Sequence, residues 1–432
     1  MSEQRPESAP DAVSGPERAI LVGTEPLEGA GRRSMRELML LAQAAGLAPV
    51  ALLVQVRRRP TVTHFLGKGK LEELRELALR EGADVVVFNA ELSPVQQRNL
   101  VDALDCKVLD RTEIILDIFS QRAATREGKL QVEAARLSYE LPRLAGRGRM
   151  MSRIGGGRRG GVGVRGPGEP QLATERRHIE RRLRQLRREL DEIKTRRDTE
   201  RMARRRAGLP LVSLVGYTNA GKSSLLNALV GSEEAAADDQ LFETLDPTVR
   251  RAVLAEGFPV LISDTVGFIQ DLPHSLVAAF RATLEEVVQA DALIHVVDAS
   301  DPFAAAQIRA VNDVLAEIGA INRPTIVVLN KWDLAAQSKA AHRLLARLPG
   351  ALPISALTGY NLDELRASLT ELLTRDLIPA TARLPYDRLD LLHAVRERGR
   401  ITAEDYRPSY VYIEAEVDQE TLARLRPYLT SE

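Results

Sequence analysis

The chain has 432 residues, of which 44% are hydrophobic and 28% charged, the proportions of an ordinary globular protein with roughly two to four domains. Lys and Arg balance Asp and Glu at 60 each, yet residues 143–206 are heavily basic. The single cysteine, Cys106, excludes an intrachain disulfide, and no apolar run approaches the ~20 residues that cross a bilayer. We therefore expect a cytoplasmic protein without a membrane span, in which the polar residues 1–17 form a disordered tail.

Residues 18–111 are predicted to form an N-terminal α/β domain. The short apolar runs "AILVG", "PVALLVQV" and "DVVVFN" have the composition of strands. The segments "SMRELMLLAQAAG" and "GKLEELRELALREG" lie between them, have helical spacing and end at glycine. Because strands that alternate with helices usually pair in parallel, this order predicts a parallel sheet.

Two long helical stretches follow, roughly from Thr112 to Tyr139 and from Leu172 to Arg206, and we expect them to pair as a hairpin within residues 112–207. Apolar residues of the second stretch have the alternating four- and three-residue spacing of a coiled-coil seam. They are Ile179, Leu183, Leu186, Leu190 and Ile193. Residues 143–170 between the stretches are crowded with Gly and Arg, and the entropy cost of ordering Gly argues against a packed element there.

Residues 208–376 have the pattern of a second α/β domain with a mostly parallel, six-stranded sheet. Its strands are legible at "LVSLVG", "RRAVLA", "PVLISD", "ALIHVVDAS", "TIVVLN" and "ALPIS", with helices between most of them. Residues 377–432 predict a small α+β domain, with a helix at "YDRLDLLHAVRERG", a strand at "SYVYIEAEV" and a helix at "QETLARLRPY".

The stretch "GYTNAGKSS" matches the phosphate-binding loop G-x-x-x-x-G-K-[ST], with a strand before it and a helix after it. Backbone N–H groups of such a loop surround phosphate at a helix N-terminus. The loop residues are Gly216, Tyr217, Thr218, Asn219, Ala220, Gly221, Lys222, Ser223 and Ser224. Lys222 would reach the β- and γ-phosphates of a nucleotide, and Ser223 would bind Mg²⁺.

Two further motifs predict that the base is guanine. "NKWD" follows an apolar strand, at the edge where ligands bind in open α/β sheets. Asp333 can accept two hydrogen bonds from N1–H and the exocyclic amine of guanine, a donor pair that adenine lacks. Asn330 would hold the loop and the base, and the stem of Lys331 would cover one base face. The sequence "SAL", which is Ser355, Ala356 and Leu357, would offer a backbone N–H to guanine O6.

The residues between these motifs predict the two switch segments of a GTPase. In "LFETLDPTVR", the spacing to the next strand makes Thr248 the candidate for the switch threonine that contacts Mg²⁺ and the γ-phosphate. Thr244 is the alternative. In "DTVGFIQDLP", Asp264 and the N–H of Gly267 would contact Mg²⁺ and the γ-phosphate. Phe268 stands where many GTPases place a Gln that orients the attacking water, so we expect slow hydrolysis by the isolated protein.

With these pieces in order, the chain resembles the HflX family of ribosome-associated GTPases over nearly its whole length. The specific signals are "FLGKGKLEEL", "GGGRRGGVGVRGPGEPQL", "LFETLDPT" and "DTVGFIQDLP". The family usually has an acidic "QLE" after the Gly-rich loop, whereas this chain reads "QLATERR", which changes the capping of that helix. The resemblance implies an N-terminal domain with a helical hairpin, a G domain and a small C-terminal domain. It also implies binding to the large ribosomal subunit and, in many members, dissociation of stalled or stress-inactivated ribosomes.

The expected cofactors are GTP or GDP and Mg²⁺. The catalytic set is Lys222, Thr248 and Gly267, and the Mg²⁺ ligands are Ser223, Thr248 and Asp264. Related GTPases with Asn at the position of Asn219 can hold K⁺ against the phosphates, and an Asn that only braces the loop is the alternative. Some members of the resembled family bind ATP through the N-terminal domain, where "GKGK" at residues 67–70 is either a phosphate site or a tight turn with solvated lysines.

Residues 175–206 carry fourteen Lys or Arg against seven Asp or Glu. Together with the Gly/Arg-rich residues 143–170, this excess favours contact with rRNA phosphates over a merely solvated coiled-coil surface. We therefore predict a monomeric GTPase that binds the large ribosomal subunit and its rRNA through these two segments. One alternative is an ATP-driven RNA-binding remodeller regulated by GTP, although the N-terminal domain has no second G-x-x-x-x-G-K-[ST]. The other is a non-ribosomal GTPase linked to tRNA, which would usually show a Cys- or folate-linked site.

Overall fold

The computed structural model describes residues 15–25, 31–56, 60–144, 168–206, 209–231, 242, 248–269, 281–375 and 377–430. The chain divides into two compact units, Met1–Gln121 with Ala135–Arg182 and Arg122–Ala134 with Leu183–Glu432. The boundaries fall inside three helices, Arg111–Arg122, Arg126–Glu140 and Gly168–Arg206. The five-part division drawn from the sequence stays a prediction.

The first unit contains the predicted parallel sheet. Its strands are β1 (Arg18–Glu25), β2 (Ala48–Val56), β3 (Val85–Phe88) and β4 (Lys107–Asp110), in the order β2-β1-β3-β4. Its helices are α1 (Gly31–Ala44), α2 (Lys68–Glu81) and α3 (Pro94–Leu104). Apolar side chains of the sheet pack against the helices, and Ile20, Phe88 and Leu74 are fully buried. The parallel α/β prediction is confirmed, and β4 and α3 are additions to it.

The helical hairpin is present, but its first stretch is two helices. The predicted stretch from Thr112 to Tyr139 is helical but interrupted, because α4 (Arg111–Arg122) ends before α5 (Arg126–Glu140) begins. The hydroxyl of Thr125 accepts a hydrogen bond from the N–H of Gly128 at 3.0 Å, as an N-cap does, and so starts a new helix.

The second stretch is one long helix, α6 (Gly168–Arg206). Two ion pairs join it to α5: Arg126 to Glu189 at 3.1 Å and Glu127 to Arg197 at 2.9 Å. Of the predicted seam, Ile179, Leu183 and Leu186 are buried, whereas Leu190 and Ile193 are half-buried. The seam therefore packs most closely over its first two turns.

The second unit contains the six-stranded sheet. The strands are β5 (Leu211–Gly216), β6 (Thr248–Val253), β7 (Pro259–Asp264), β8 (Ala292–Asp298), β9 (Thr325–Asn330) and β10 (Leu352–Pro353). The order is β10-β9-β8-β5-β7-β6, and all neighbours are parallel except β6 with β7. The helices are α7 (Lys222–Val230), α8 (Arg281–Gln289), α9 (Ala304–Glu317), α10 (Trp332–Ala335), α11 (Lys339–Arg347) and α12 (Leu362–Thr374). The parallel strands β5, β7 and β9 end at one edge, where the phosphate-binding loop, Asp264 and the "NKWD" motif therefore gather.

The C-terminal part of the second unit is a small antiparallel sheet, β11 (Ile378–Pro385), β12 (Arg400–Tyr406) and β13 (Tyr410–Val417), ordered β11-β13-β12. Alternate residues of β13, among them Val411 and Ile413, pack against α13 (Leu389–Arg398) and α14 (Gln419–Leu425). The predicted α+β character is confirmed. No helix in the described ranges is long and apolar enough to cross a membrane.

Candidate nucleotide-binding site

The phosphate-binding loop connects β5 to α7 in the predicted way. Gly221 has a φ of +87°, and a Cβ there would overlap the side-chain amide of Asn330, so only glycine fits. The Nζ of Lys222 is buried and donates to the carbonyl oxygens of Tyr217 at 2.9 Å and Gly216 at 3.3 Å. The buried hydroxyl of Thr218 has no hydrogen-bond partner among the described residues, and a phosphate oxygen would supply one.

Asn330 joins the phosphate-binding loop to the base-recognition loop. Its Nδ2 donates to the carbonyl of Ala220 at 2.9 Å, and its Oδ1 accepts from the N–H of Ala356 at 3.0 Å. Because the side chain is 2% exposed and both its polar atoms are engaged, it fixes the distance between the two loops. This geometry is consistent with the predicted role of Asn330 in holding a loop, and it shows that Asn330 contacts two loops at once.

The remaining base-recognition residues surround Asn330. Lys331 has a left-handed φ of +57°, and its Nζ lies 3.0 Å from the Oδ2 of Asp298, which fixes the direction of its stem. Asp333 is exposed in the first turn of α10, where its carboxylate is open to a ligand. Ser355 is buried and its Oγ accepts from the N–H of Thr358 at 3.2 Å, which holds the turn that carries Ala356 and Leu357.

The candidate Mg²⁺ ligands lie at the ends of β7 and β6 and the start of α7. The Oγ of Ser223 donates to the Oδ2 of Asp264 at 2.7 Å. Thr248, the first residue of β6, is paired with Asp264 across the β6–β7 ladder. The alternative, Thr244, lies outside the described residues. One carboxylate and two hydroxyls are hard oxygen donors that suit Mg²⁺, which takes its other ligands from phosphate and water.

This donor set is small for a metal site made by protein alone. In the described parts of the chain, no group of three or more His, Cys, Asp or Glu side chains could hold a metal ion. A cation at Ser223 and Asp264 would therefore depend on the nucleotide for part of its coordination. Ser223 and Asp264 would hold such a Mg²⁺ together with the nucleotide, and its charge would offset that of the phosphates during hydrolysis.

Gly267 and Phe268 lie directly against the phosphate-binding loop. A Cβ on Gly267 would come within 2.8 Å of the Cα of Thr218 and 3.0 Å of the Nζ of Lys222. The N–H of Phe268 donates to the carbonyl of Gly216 at 3.1 Å, and its carbonyl accepts from the N–H of Thr218 at 2.8 Å. Phe268 is 2% exposed and packs in an apolar cluster with Tyr217 of the phosphate-binding loop. Its ring therefore supports that loop by packing, and it has no polar group that could orient water.

Comparison with known proteins gives a consistent assignment along the chain. The sequence matches the families described as "GTP-binding GTPase N-terminal" over residues 32–120, "GTP-binding GTPase Middle Region" over 122–204 and "50S ribosome-binding GTPase" over 211–331. GTPase HflX from Caldanaerobacter subterraneus is 42% identical over 421 residues, which are 96% of this chain and 94% of that protein. GTPase HflX from Escherichia coli is 43% identical over 376 residues, which are 87% of each chain.

The chain belongs to the HflX family of GTPases. A solved structure of a GTP-binding protein from Sulfolobus solfataricus in complex with GDP is also similar, with 25% identity and a TM-score of 0.43 over 83% of this chain and 99% of that chain. As an HflX-family GTPase, the protein hydrolyses GTP. The G-motif residues predicted from the sequence lie together at one edge of the six-stranded sheet, where they can surround a guanine nucleotide.

One buried histidine beneath the HflX nucleotide site was not predicted from the sequence. His295 lies on β8, and its pKa is lowered to about 4, chiefly by burial and then by the charge of Lys222. The imidazole is therefore neutral at physiological pH, and it adds no positive charge beside the phosphate-binding lysine. In the sequence it is a lone histidine within the apolar strand "ALIHVVDAS". Nothing in that pattern indicates that the side chain lies beside Lys222.

The side chain of Asn219 is the candidate K⁺ ligand of this HflX-family site. Asn219 has a left-handed φ of +60° and is half-buried, and its side chain makes no hydrogen bond to any described residue. The alternative, in which this Asn only braces the loop, therefore has no bond to support it. A monovalent cation there would neutralise charge that develops on the phosphates, as an arginine finger does.

We expect faster GTP hydrolysis in KCl than in NaCl at equal ionic strength, because Na⁺ is too small to replace K⁺ between Asn219 and the phosphates. The measurement is the steady-state GTPase rate in each salt, with Asn219→Ala as the control in which the two rates should become equal. Equal rates with the unaltered protein would contradict a K⁺ site at this residue.

Proposed function

We propose that this HflX-family GTPase binds the large ribosomal subunit and uses Mg²⁺-dependent GTP hydrolysis to split or rescue stalled ribosomes in the cytoplasm, acting as a monomer. The observation that carries the proposal is the match of residues 211–331 to a family described as "50S ribosome-binding GTPase". A second observation supports it, because the same chain contains the long basic helix α6. The expected partner is therefore a surface dense in phosphate.

The chemistry of α6 supports contact with RNA. Its buried residues Ile179, Leu183 and Leu186 face the protein. The exposed positions between and beside them carry six arginines: Arg176, Arg177, Arg181, Arg184, Arg187 and Arg188. Guanidinium groups form forked hydrogen bonds to phosphate, and each phosphate that they neutralise releases counterions. Binding through this helix should therefore weaken steeply as salt rises.

Residues 143–170 are the other proposed contact, and 145–167 of them lie outside the described residues. We expect that changing Arg158, Arg159 and Arg165 together to Ala weakens binding to large subunits and leaves GTP affinity of the free protein unchanged. The slope of log affinity against log salt should become shallower by about one unit for each phosphate that the variant no longer neutralises. The measurement is co-sedimentation with purified subunits over a salt series, with a GTP analogue and with GDP.

The matched control removes three exposed arginines of the second unit, Arg309, Arg343 and Arg347. This variant loses the same charge but should keep the parent's affinity and salt slope. Unchanged subunit binding by the Arg158, Arg159 and Arg165 variant would favour the merely solvated surface. Equally weakened binding in both variants would show that only total charge matters.

The alternative of an ATP-driven remodeller depends on the first unit. There, Gly67 directly precedes α2 and the rest of "GKGK" forms its first turn. Lys70 is paired with Glu73 at 2.9 Å within this helix, which favours the tight turn over a phosphate site. A cavity of about 470 Å³ lies between α3, α4 and α5 and could take a nucleotide-sized ligand. ATP binding by the N-terminal domain thus stays a proposal, and fluorescence titration with a labelled ATP in excess GTP would test it.

A further inference from the structure

Helix α8 is attached to both strands that lead into the nucleotide site. The backbone carbonyl of Glu286 accepts a hydrogen bond from the Oγ of Ser213 at 3.1 Å, and that Oγ lies 2.6 Å from the Oγ of Ser263. Ser213 is on β5, which ends in the phosphate-binding loop, and Ser263 precedes Asp264 on β7. A displacement of α8 would therefore shift β5 directly and β7 through the contact between the two serines.

The inner face of α8 also contacts the switch residue. Leu284 and Val287 are buried in the same apolar cluster as Phe268 and Tyr217. Close-packed side chains transmit small displacements because they leave no free volume to absorb them. The position of α8 therefore bears on Phe268, whose backbone is hydrogen-bonded to Gly216 and Thr218.

The outer face of α8 is held by the basic helix. Glu285 lies between the two buried positions, and its Oε1 is 2.8 Å from the Nζ of Lys194 on α6. The Glu285 side chain is 19% exposed and that of Lys194 is 52% exposed. A few residues away on α6, the ion pairs of Glu189 and Arg197 with α5 fix the same segment of the helix. Helix α8 thus lies between α6 on one side and Phe268 on the other.

We propose that the Lys194–Glu285 ion pair is a positioning contact through which binding of the large subunit to α6 is transmitted to Phe268 and Gly267 and accelerates GTP hydrolysis. The inference rests on the proposed function, since it needs a ribosomal partner on α6. It adds the route of regulation. The pair acts on the rate of hydrolysis at the subunit-bound site and not on affinity for GTP or for the subunit.

The size of the effect follows from the exposure of the pair. Partly exposed ion pairs contribute at most about 1 kcal/mol, which corresponds to about a fivefold change in rate. Charge reversal adds repulsion of similar size between α6 and α8. Glu285→Lys both removes the pair and adds the repulsion, so we expect it to lower the stimulated kcat by between about fivefold and about 25-fold at saturating large subunit. The basal GTPase rate, the GTP affinity and the subunit affinity should stay near those of the parent.

The decisive variant exchanges the two charges, Lys194→Glu with Glu285→Lys, and should recover most of the stimulated kcat because the pair is restored with opposite polarity. Asp313→Lys, at an exposed position of α9, makes the same charge change without touching α6 and should be stimulated like the parent. The readouts are kcat and the half-saturating subunit concentration, measured separately for each variant in the full-length protein.

The outcomes separate this inference from the proposed function. If subunits do not bind or stimulate the parent protein, the proposed function fails. If the parent is stimulated and Glu285→Lys is stimulated equally, the ion pair does not transmit the signal. If Glu285→Lys is impaired but the charge exchange does not recover kcat, Glu285 has a merely structural role and the inference is overturned.

Discussion

Changing Asp333 to Asn should lower the affinity for GTP at least about a hundredfold and raise the affinity for xanthosine triphosphate. The carboxylate accepts two hydrogen bonds from guanine, whereas an amide presents an N–H to one of those donors. Each mismatched or unpaired polar group costs ~1–3 kcal/mol, and ~1.4 kcal/mol is a tenfold change in Kd. Xanthine replaces the exocyclic amine by an oxygen, which the new amide can donate to. The measurement is a competition titration of both nucleotides against a fluorescent guanine nucleotide.

The structure sharpens this experiment because the Asp333 side chain is exposed, so that its replacement leaves the buried core unchanged. A decrease of affinity in Asp333→Asn can therefore be read as a failure of base recognition. The matched control is Asp363→Asn, which alters a fully exposed Asp in the first turn of another helix, α12, and should bind GTP like the parent. Equal GTP affinity in Asp333→Asn and the parent would show that another group reads the base.

The G motifs are predictable from the sequence because each is a short run of neighbouring residues, and those residues themselves set the conformation of the loop. Gly221 must be glycine in its left-handed conformation, and Lys222 must follow it at the start of a helix. By contrast, Asn330 engages both Ala220 and Ala356, residues 110 and 26 positions away. Such a bridge depends on the order of strands in the sheet, which a single sequence does not give. From the sequence, Asn330 is predicted only to hold one loop and the base.

Secondary structure was least predictable where the signals were short or competed. The hairpin's first stretch reads as one helix because its apolar spacing continues, but the N-cap hydroxyl of Thr125 breaks it. Strand β4 has four residues and follows α3 so closely that its apolar run merges with the helix pattern. Strands β11 and β12 contain Pro, Arg and Glu and gain their stability from pairing with β13.

The contacts around α8 could not be predicted from the sequence at all. Ser213 and Ser263 are single serines inside apolar strands, and nothing in either strand indicates that their hydroxyls meet. Lys194 is one of fourteen cationic residues in 175–206, and its pairing with Glu285 is set by the position of α6 beside the sheet. Sequence patterns give the class of an element, whereas the partners of individual side chains come from packing.

Large ribosomal subunits should raise the GTPase rate tenfold or more, and a change of Phe268 to Leu should leave the basal rate nearly unchanged. Phosphoryl transfer depends mainly on positioning and on charge neutralisation. Lys222, Mg²⁺ and the N–H of Gly267 would supply the charge, but a buried phenyl ring can neither accept a proton from water nor donate to the γ-phosphate. We therefore expect the group that fixes the water to come with the ribosome, from rRNA or from a switch ordered by the subunit.

Leu is the informative replacement because Phe268 is 2% exposed, and truncation to Ala would cost about 3–5 kcal/mol of stability. The matched control is Phe258→Leu, which alters an equally apolar ring in a different core cluster of the same unit. The measurement is single-turnover hydrolysis with and without subunits, with thermal unfolding recorded for each variant. A fast basal rate that Phe268→Leu abolishes while Phe258→Leu preserves it would show that Phe268 itself organises the catalytic site, and that the ribosome is not needed to complete it.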